Sequence, residues 1–333
     1  MQIDVCHGDA DGLCAVVQWR LQNPLQTRLV SGLKREIELL QRLPANRGDE
    51  VLVCDLSLRR NYKALQGLLN AGVRVHYFDH HAVTDIPVHP LLDTHIDTSP
   101  NTCTCILMDH YLGGPFRGWA VVGAFGDNLG GAAQRLAQTL HMAPADVQRL
   151  QNLGEALNHN AYGEGVEDVH ILPADLFATM VQYADPLAFL AHESIGHTLD
   201  ALRQEDLNRA RAVVPCNQNE QAVAYLLPDE PWSRRVLGSM GNVLARAHPG
   251  QAHALLKATR RGGFTASVRA PLSTPTGAVE LCRQFGGDGR ASAAGIDHFP
   301  NRLLGRFVDA FLKTRWGAVM PPRATFVPHA EYG

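Results

Sequence analysis

The chain has no CxxC pair, no internal repeat, few aromatic side chains (7%) and almost no net charge, −3 over 333 residues. Its seven cysteines, Cys6, Cys14, Cys54, Cys103, Cys105, Cys216 and Cys282, are odd in number and scattered. That spacing suggests neither a disulfide framework nor a zinc knuckle; it reads as small buried residues in a reducing compartment. No stretch reaches the roughly 18 apolar residues that would argue a membrane helix, so no membrane partner is expected. Asp4, His7, Asp9 and Asp11 interrupt any apolar run at the N-terminus. A secretory leader is therefore not expected there, and a cytoplasmic protein is.

What is present is an ordinary globular composition, 45% apolar and 19% charged, long enough for two domains with separate cores. The charge is uneven. Residues 1–220 carry 26 acidic and 16 basic side chains, net −10; residues 221–333 carry 7 and 14, net +7, and the two sums return −3. Surface composition alone could give that imbalance. The functional reading is an acidic half that holds metal and a basic half that holds phosphate.

The first part alternates short strands and helices. Gln2–Cys6 reads as a strand, and the residues from Gly12 to Leu21 as a helix with Leu13, Val16, Val17 and Leu21 at helical spacing. EVLVC (50–54) and VRVHYF (73–78) read as buried strands on either side of an amphipathic helix over 61–70. A further apolar run, 119–125, leads into Gly126, Asp127 and Asn128. This rhythm predicts an α/β fold with a mostly parallel sheet flanked by helices. Residues from about 144 to 213 read as helix-rich and Pro215 to Gln221 as polar and turn-prone; the domains are accordingly expected over 1–200 and 221–333, with 201–220 linking them and the second a smaller α/β domain. Its strand candidates are 222–227, 252–258 and 264–269, followed by a helix near 278–285 and a Gly-rich loop over 286–295.

Acidic and histidine residues fall where the strands end. His7, Asp9 and Asp11 follow the first strand, Asp55 ends the second, and Asp79, His80 and His81 end the third; Asp127 follows the fourth apolar run. In open α/β sheets the carboxyl ends of strands line the ligand crevice, so these side chains can converge. Carboxylates gathered there repel one another unless cations sit among them. Oxygen ligands mixed with imidazole suit Mn2+ or Mg2+, with Zn2+ or Co2+ as alternatives. Singly, each residue has a blander use; Asp11 could simply cap the helix that begins at Gly12.

HGDADG (7–12), CDLS (54–57), YFDHH (77–81) and GDN (126–128) resemble, in order and spacing, the four motifs of the DHH phosphoesterases. That family includes RecJ-type exonucleases, nanoRNases and phosphodiesterases of cyclic dinucleotides or their linear products. The resemblance implies a site for two Mn2+ ions, with His7 and Asp9 on one, Asp11, His80 and Asp127 on the other, and Asp55 bridging. It also implies that Asp79 orients a histidine and that His81 lies near the scissile phosphate.

Phe285-Gly286-Gly287-Asp288-Gly289-Arg290, followed by Ala293-Ala294-Gly295, resembles the substrate-gripping loop of the DHHA1 domain that accompanies such catalytic domains. Small residues allow close backbone approach, and exposed amides can hold phosphate. The family's usual Gly-Gly-Gly-His is altered here: Asp288 replaces a glycine and Arg290 the histidine, and arginine still suits phosphate. Arg269 is a second candidate phosphate contact. The segment 158–163 (NHNAYG) reads either as an interhelical loop or as a polar contact to a base. Ser99, Pro100, Asn101 and Thr102 look like a helix start, where capping and phosphate docking are both open.

The resulting expectation is metal-dependent hydrolysis of a linear dinucleotide or very short oligonucleotide by direct attack of water. No appended OB-fold is visible, so long nucleic acid is not expected as a partner, and a homodimer is allowed. Two alternatives stand beside it: a phosphatase of bisphosphorylated adenosine, and a nucleotide-binding sensor without turnover. Against the sensor, all the motif positions retain competent side chains.

Overall fold

The computed structural model describes residues 1–259 and 262–317. In chain order the elements are β1 (Gln2–His7), α1 (Ala10–Gln22), β2 (Arg28–Gly32), β3 (Glu50–Cys54), α2 (Leu58–Asn70), β4 (Arg74–Asp79) and β5 (Leu92–Ile96). A helical stretch follows: α3 (Thr104–Leu112), α4 (Arg117–Gly126), α5 (Gly130–Thr139), α6 (Pro144–Asn160), α7 (Pro173–Met180), α8 (Pro186–His192) and α9 (Ile195–Arg211). Then come β6 (Asn217–Gln218), β7 (Ala222–Leu227), α10 (Pro231–Ala247), β8 (Ala252–Ala258), β9 (Phe264–Arg269), α11 (Ala278–Arg283), β10 (Asp288–Gly289), β11 (Ala293–Phe299) and α12 (Leu304–Lys313).

Two compact units result. The first holds residues 1–211 together with 230–238, the second 212–229 and 239 onward. Helix α9 runs to Arg211, so the first half of the expected 201–220 linker is helix, and the first half of α10 packs with the first unit.

The first sheet is parallel throughout, in the order β2-β1-β3-β4-β5. Alternation along a strand sends successive side chains to opposite faces. In β3, Val51 and Val53 join one buried cluster with Leu65, Leu68 and Leu69 of α2, while Leu52 and Cys54 join the other with α1, α3 and α4. Both faces are therefore covered, as a parallel sheet requires. The strand order reverses at β1, so the crevice where ligands bind in such sheets opens beyond the carboxyl ends of β1 and β3.

The apolar run 119–125 is not a strand end but the body of α4, and Asp127 caps that helix. Its residues from Trp119 to Phe125 are all buried. A helix buried all round shows the same uninterrupted apolar run as a buried strand. The second unit carries a mixed six-stranded sheet, β10-β11-β9-β8-β7-β6, in which β7 and β8 are parallel and the other neighbours antiparallel. Its core joins the sheet to α11 and α12 through Leu281, Phe307 and Phe311. Among the described residues, no helix is long and apolar enough to cross a membrane.

Candidate metal centre

The turn from β1 into α1 sets the first side chains. Asp9 is the N-cap of α1, accepting the Gly12 amide at 3.1 Å. Asp11 lies inside the first turn and is not the cap; its carboxylate accepts the amides of Thr104 and Cys105 at 2.8 and 2.7 Å. The N-terminal amides of α3 thus serve Asp11, which leaves capping of a protein carboxylate as their role. Gly12 has no substitute at this turn, since a Cβ there would lie 2.4 Å from the His7 carbonyl oxygen. Gly126, one residue before Asp127, similarly lets α4 meet α1, because its Cβ would fall 2.2 Å from that of Ala10.

Asp55 follows β3 in a left-handed backbone, φ 58°. Non-glycine residues rarely adopt that conformation, and strain of this kind collects at functional sites. Its two carboxylate oxygens face different histidines. Oδ2 lies 3.5 Å from His7 Nδ1, and Oδ1 lies 3.4 Å from His80 Nε2 and 3.8 Å from His81 Nδ1. His80 Nε2 is also 3.8 Å from Asp11 and 3.9 Å from Asp127. Two donor sets of metal-binding dimensions share Asp55: His7, Asp9 and Asp55 on one side, Asp55, His80 and His81 on the other. The structure thus brings His7, Asp9, Asp11, Asp55, His80, His81 and Asp127 together. Asp79 is fully buried below them; its Oδ1 takes His81 Nδ1 at 2.7 Å and the His80 and His81 amides, and Oδ2 takes the Leu58 amide.

The electrostatics are those of a crowded acid cluster. Burial and the neighbouring Asp11 carboxylate push Asp127 up to about 7. Burial and Asp55 likewise raise Asp11. Burial opposes ionisation of Asp55 too, yet hydrogen bonds from His7 and His80 prevail and hold it well below the usual range. Burial works against a charged His80, but Asp55, Asp11 and Asp127 outweigh it and raise the imidazole to about 10. Protons here stand in for cations. His7 Nε2 is buried with no hydrogen-bond partner, an arrangement that costs free energy unless something electrophilic takes the lone pair or an acceptor the proton. The donor set, carboxylates with imidazole, fits divalent Mn2+ or Mg2+. A third group of metal-binding dimensions, Asp11 with Cys103 and Cys105, carries two buried thiols whose ionisation burial opposes.

Lys34, just beyond β2, escaped the sequence reading. Its ammonium donates to Asp9 Oδ2 and lies 3.3 Å from Asn158 Oδ1. The signal that would have found it is β2 itself, which pairs with β1 in a register setting Gly32 beside His7.

In the second unit, Arg269 donates to Asn242 at 3.0 Å and Ser267 at 3.1 Å. The Gly-rich segment is a helix stop and a hairpin rather than an open loop. The amides of Gly286 and Gly287 bond to the carbonyls of Arg283 and Cys282, that of Arg290 bonds to Ala293, and Asp288–Gly289 pairs with β11. Those amides are committed to the fold, so a phosphate contact from this segment falls to side chains, with Arg290 exposed at the hairpin.

No family model and no curated protein matches this chain. Solved structures do. A manganese-bound exonuclease RecJ aligns over 93% of this chain and 89% of its own, with TM-score 0.60 and 21% identity. RecJ from Thermus thermophilus in complex with Mn2+ aligns over 93% of this chain but 51% of its own, with TM-score 0.61 and 19% identity. PggH, a pGpG-specific phosphodiesterase from Vibrio cholerae, aligns over 94% of this chain and 98% of its own, with TM-score 0.52 and 12% identity. At these identities the likeness defines the class by fold: a parallel α/β unit followed by a mixed-sheet unit. More particularly, it is the DHH/DHHA1 fold of the RecJ and PggH phosphoesterases.

Proposed function

We propose that this protein is a metal-dependent phosphodiesterase that hydrolyses linear dinucleotides or very short oligonucleotides. The observation that carries the reading is Asp55, whose two oxygens face two separate histidine-containing donor sets. His7 and Asp9 would hold one cation, Asp11, His80 and Asp127 the other, with Asp55 shared; Mn2+ is the proposed ion, with Mg2+ or Co2+ as substitutes. Two such cations would supply an activated water and charge stabilisation at the attacked phosphate. The chain's remaining groups orient the substrate. His81, 38% exposed at its side chain and anchored through Nδ1 to Asp79, presents its other ring nitrogen for the phosphate oxygens or the leaving group. Arg290 and Arg269 are the proposed phosphate contacts of the second unit, beside Gly286, Gly287 and Gly289, which shape its hairpin. PggH, a pGpG-specific enzyme aligned here over nearly its whole length, favours short substrates for this chain too.

The test is incubation of purified protein and Mn2+ with di- to decanucleotides, cyclic dinucleotides, bisphosphorylated adenosine and polyphosphate. Cleavage should be fastest on the dinucleotides and fall with length. Equal rates on a dinucleotide and a long strand would replace this reading by a processive exonuclease.

A further inference from the structure

We propose that Lys34 is a catalytic residue of this centre, its ammonium contacting a non-bridging oxygen of the substrate phosphate. The inference rests on the phosphodiesterase reading above and extends it to a group outside the metal-binding motifs.

Charge balance is the first argument. Asp9, Asp11, Asp55 and Asp127 are four carboxylates; two divalent cations would neutralise them and leave the charge of Lys34 over. Asp79 does not absorb it, being tied to His81 and to three backbone amides. A permanent cation beside a neutralised centre attracts an anion, and the reacting anion here is a phosphodiester.

Position is the second. Asp9 is 1% exposed at its side chain and Lys34 26%, so the lysine is the more open member of the pair and its stem borders solvent beside the centre. Lysine normally loses much rotamer freedom when fixed, yet this one is held at both ends. Its amide donates to the Ala161 carbonyl at 3.0 Å, and its Nζ lies near Asn158 Oδ1 and 5.7 Å from the centre of the Tyr162 ring. Tyr162 in turn packs on Gly238, where a Cβ would lie 3.0 Å from the ring. The end of α6 and the turn after it, from Asn158 to Tyr162, thus form the mount that preorganises Lys34. A donor fixed in advance costs no reorganisation during reaction.

A purely structural counter-ion would predict something different, and calorimetry separates the two. Mn2+ binding and inorganic phosphate binding to the Mn2+-loaded protein would be measured for wild type, Lys34→Gln and Asn158→Ala, alongside kcat and KM on a linear dinucleotide. Lys34→Gln should weaken phosphate binding and lower kcat/KM by about ten- to a hundred-fold, the scale of one hydrogen bond to a charged group. Its Mn2+ affinity should hold or rise, because a competing cation has left Asp9. Asn158→Ala keeps the charge but leaves the ammonium with Asp9 as its remaining hydrogen-bond partner, and should give a smaller loss of the same kind; it decides the matter if Lys34→Gln does not fold. Wild-type phosphate binding and turnover in these variants would overturn the role of Lys34 while leaving the phosphodiesterase reading intact. A Mn2+-loaded wild type that neither binds phosphate nor cleaves a dinucleotide would overturn both.

Discussion

The Asp79 carboxylate lies 2.7 Å from Nδ1 of His81 and is itself pinned by the amides of Leu58, His80 and His81. An ionised carboxylate only accepts, so this contact puts the His81 proton on Nδ1 or charges the ring. Burial disfavours the charged ring, but the Asp79 hydrogen bond and nearby Asp55 raise its basicity overall. A fully buried acid thus fixes the orientation and protonation of a partly exposed histidine at the mouth of the metal centre.

Asp79→Asn can keep the His80 and His81 amides on its carbonyl oxygen, but it sets its NH2 against the Leu58 amide and loses the charge that holds His81. Partners of this kind typically contribute about ten- to a hundred-fold to activity. The loss should appear in kcat with KM little changed, and His81→Ala should lose at least as much. An Asp79→Asn enzyme with wild-type kcat would mean that His81 needs no such partner.

Asp55 joins strain to function, which gives an unusual ordering of variants. Its φ of 58° is costly for a residue with a Cβ and free for glycine. Asp55→Gly should therefore be more stable than Asp55→Ala by about 1 kcal/mol, the reverse of the order in an ordinary helix. Both should lose turnover. Both should also lose the affinity of the two Mn2+ sites together, whereas His7→Ala should weaken one. Denaturant titrations and metal-binding isotherms check the two halves separately. Alanine more stable than glycine would refute the strain.

How much of this was readable in the sequence follows from solvation. Strands β3, β7 and β8 are mostly apolar runs, while β4 and β9 alternate apolar with polar residues, and the expected bounds of all five lie within a residue or so of those observed. Strands β2 (RLVSG) and β5 (LDTHI) close the two edges of the first sheet, where one side is open to water, and their polar residues hide them. Missing β2 also hid Lys34. The acid and histidine motifs were legible because most of them follow the end of a strand, with Asp127 at the end of α4 the exception, whereas Asn158 and Tyr162 act only through a lysine remote in sequence. The Gly-rich segment misled in another way: glycines suggested open amides, but the same glycines end α11 and build a hairpin.

Metal-free protein should lose stability as pH rises. Asp127 moves up from 3.8 to about 7, so its contribution is full below 3.8 and disappears as pH passes about 7. His80 moves up from 6.5 to about 10, so its contribution is full below 6.5 and disappears toward about 10. Mn2+ needs those ligands deprotonated, so its affinity should climb over the same interval. The gain in Tm on adding Mn2+ should accordingly be small at acid pH and large at alkaline pH. A metal-free Tm that rises steadily from neutral to alkaline pH would contradict the proton-for-metal exchange.

Arg290 is proposed to read a terminal phosphate through its side chain, since the neighbouring amides are occupied. Arg290→Ala should weaken kcat/KM on a 5′-phosphorylated dinucleotide by about ten- to a hundred-fold, the scale of a charge-assisted hydrogen bond. A dinucleotide without that phosphate should lose much less, and the two pairs of rates form a double-mutant cycle. Equal losses on both substrates would return Arg290 to a role in the hairpin.

Behind the mount of Lys34 lies a buried ion cluster whose removal should be felt as stability. Asp206, 2% exposed, accepts Arg235 Nε at 2.7 Å and Nη2 at 3.0 Å, with His159 Nε2 at 3.0 Å and His170 Nε2 at 3.5 Å. Burial opposes its ionisation, but His159, His170 and Arg235 hold the carboxylate far below the usual range. Arg235 belongs to the part of α10 that packs with the first unit and also donates to the Asp168 carbonyl. Removing one partner leaves the other charge buried, which typically costs about 3–5 kcal/mol. Asp206→Leu and Arg235→Met should each be destabilised on that scale in urea. The double variant replaces the pair by apolar groups and should be more stable than either single one. Because His159 adjoins Asn158, Asp206→Leu should also lower kcat on the dinucleotide at temperatures where it remains folded. Single variants that each cost less than about 1 kcal/mol would show that the cluster is solvated in solution, and the mount of Lys34 would then have to draw its rigidity from the Ala161 and Asn158 contacts and the packing of Tyr162 on Gly238.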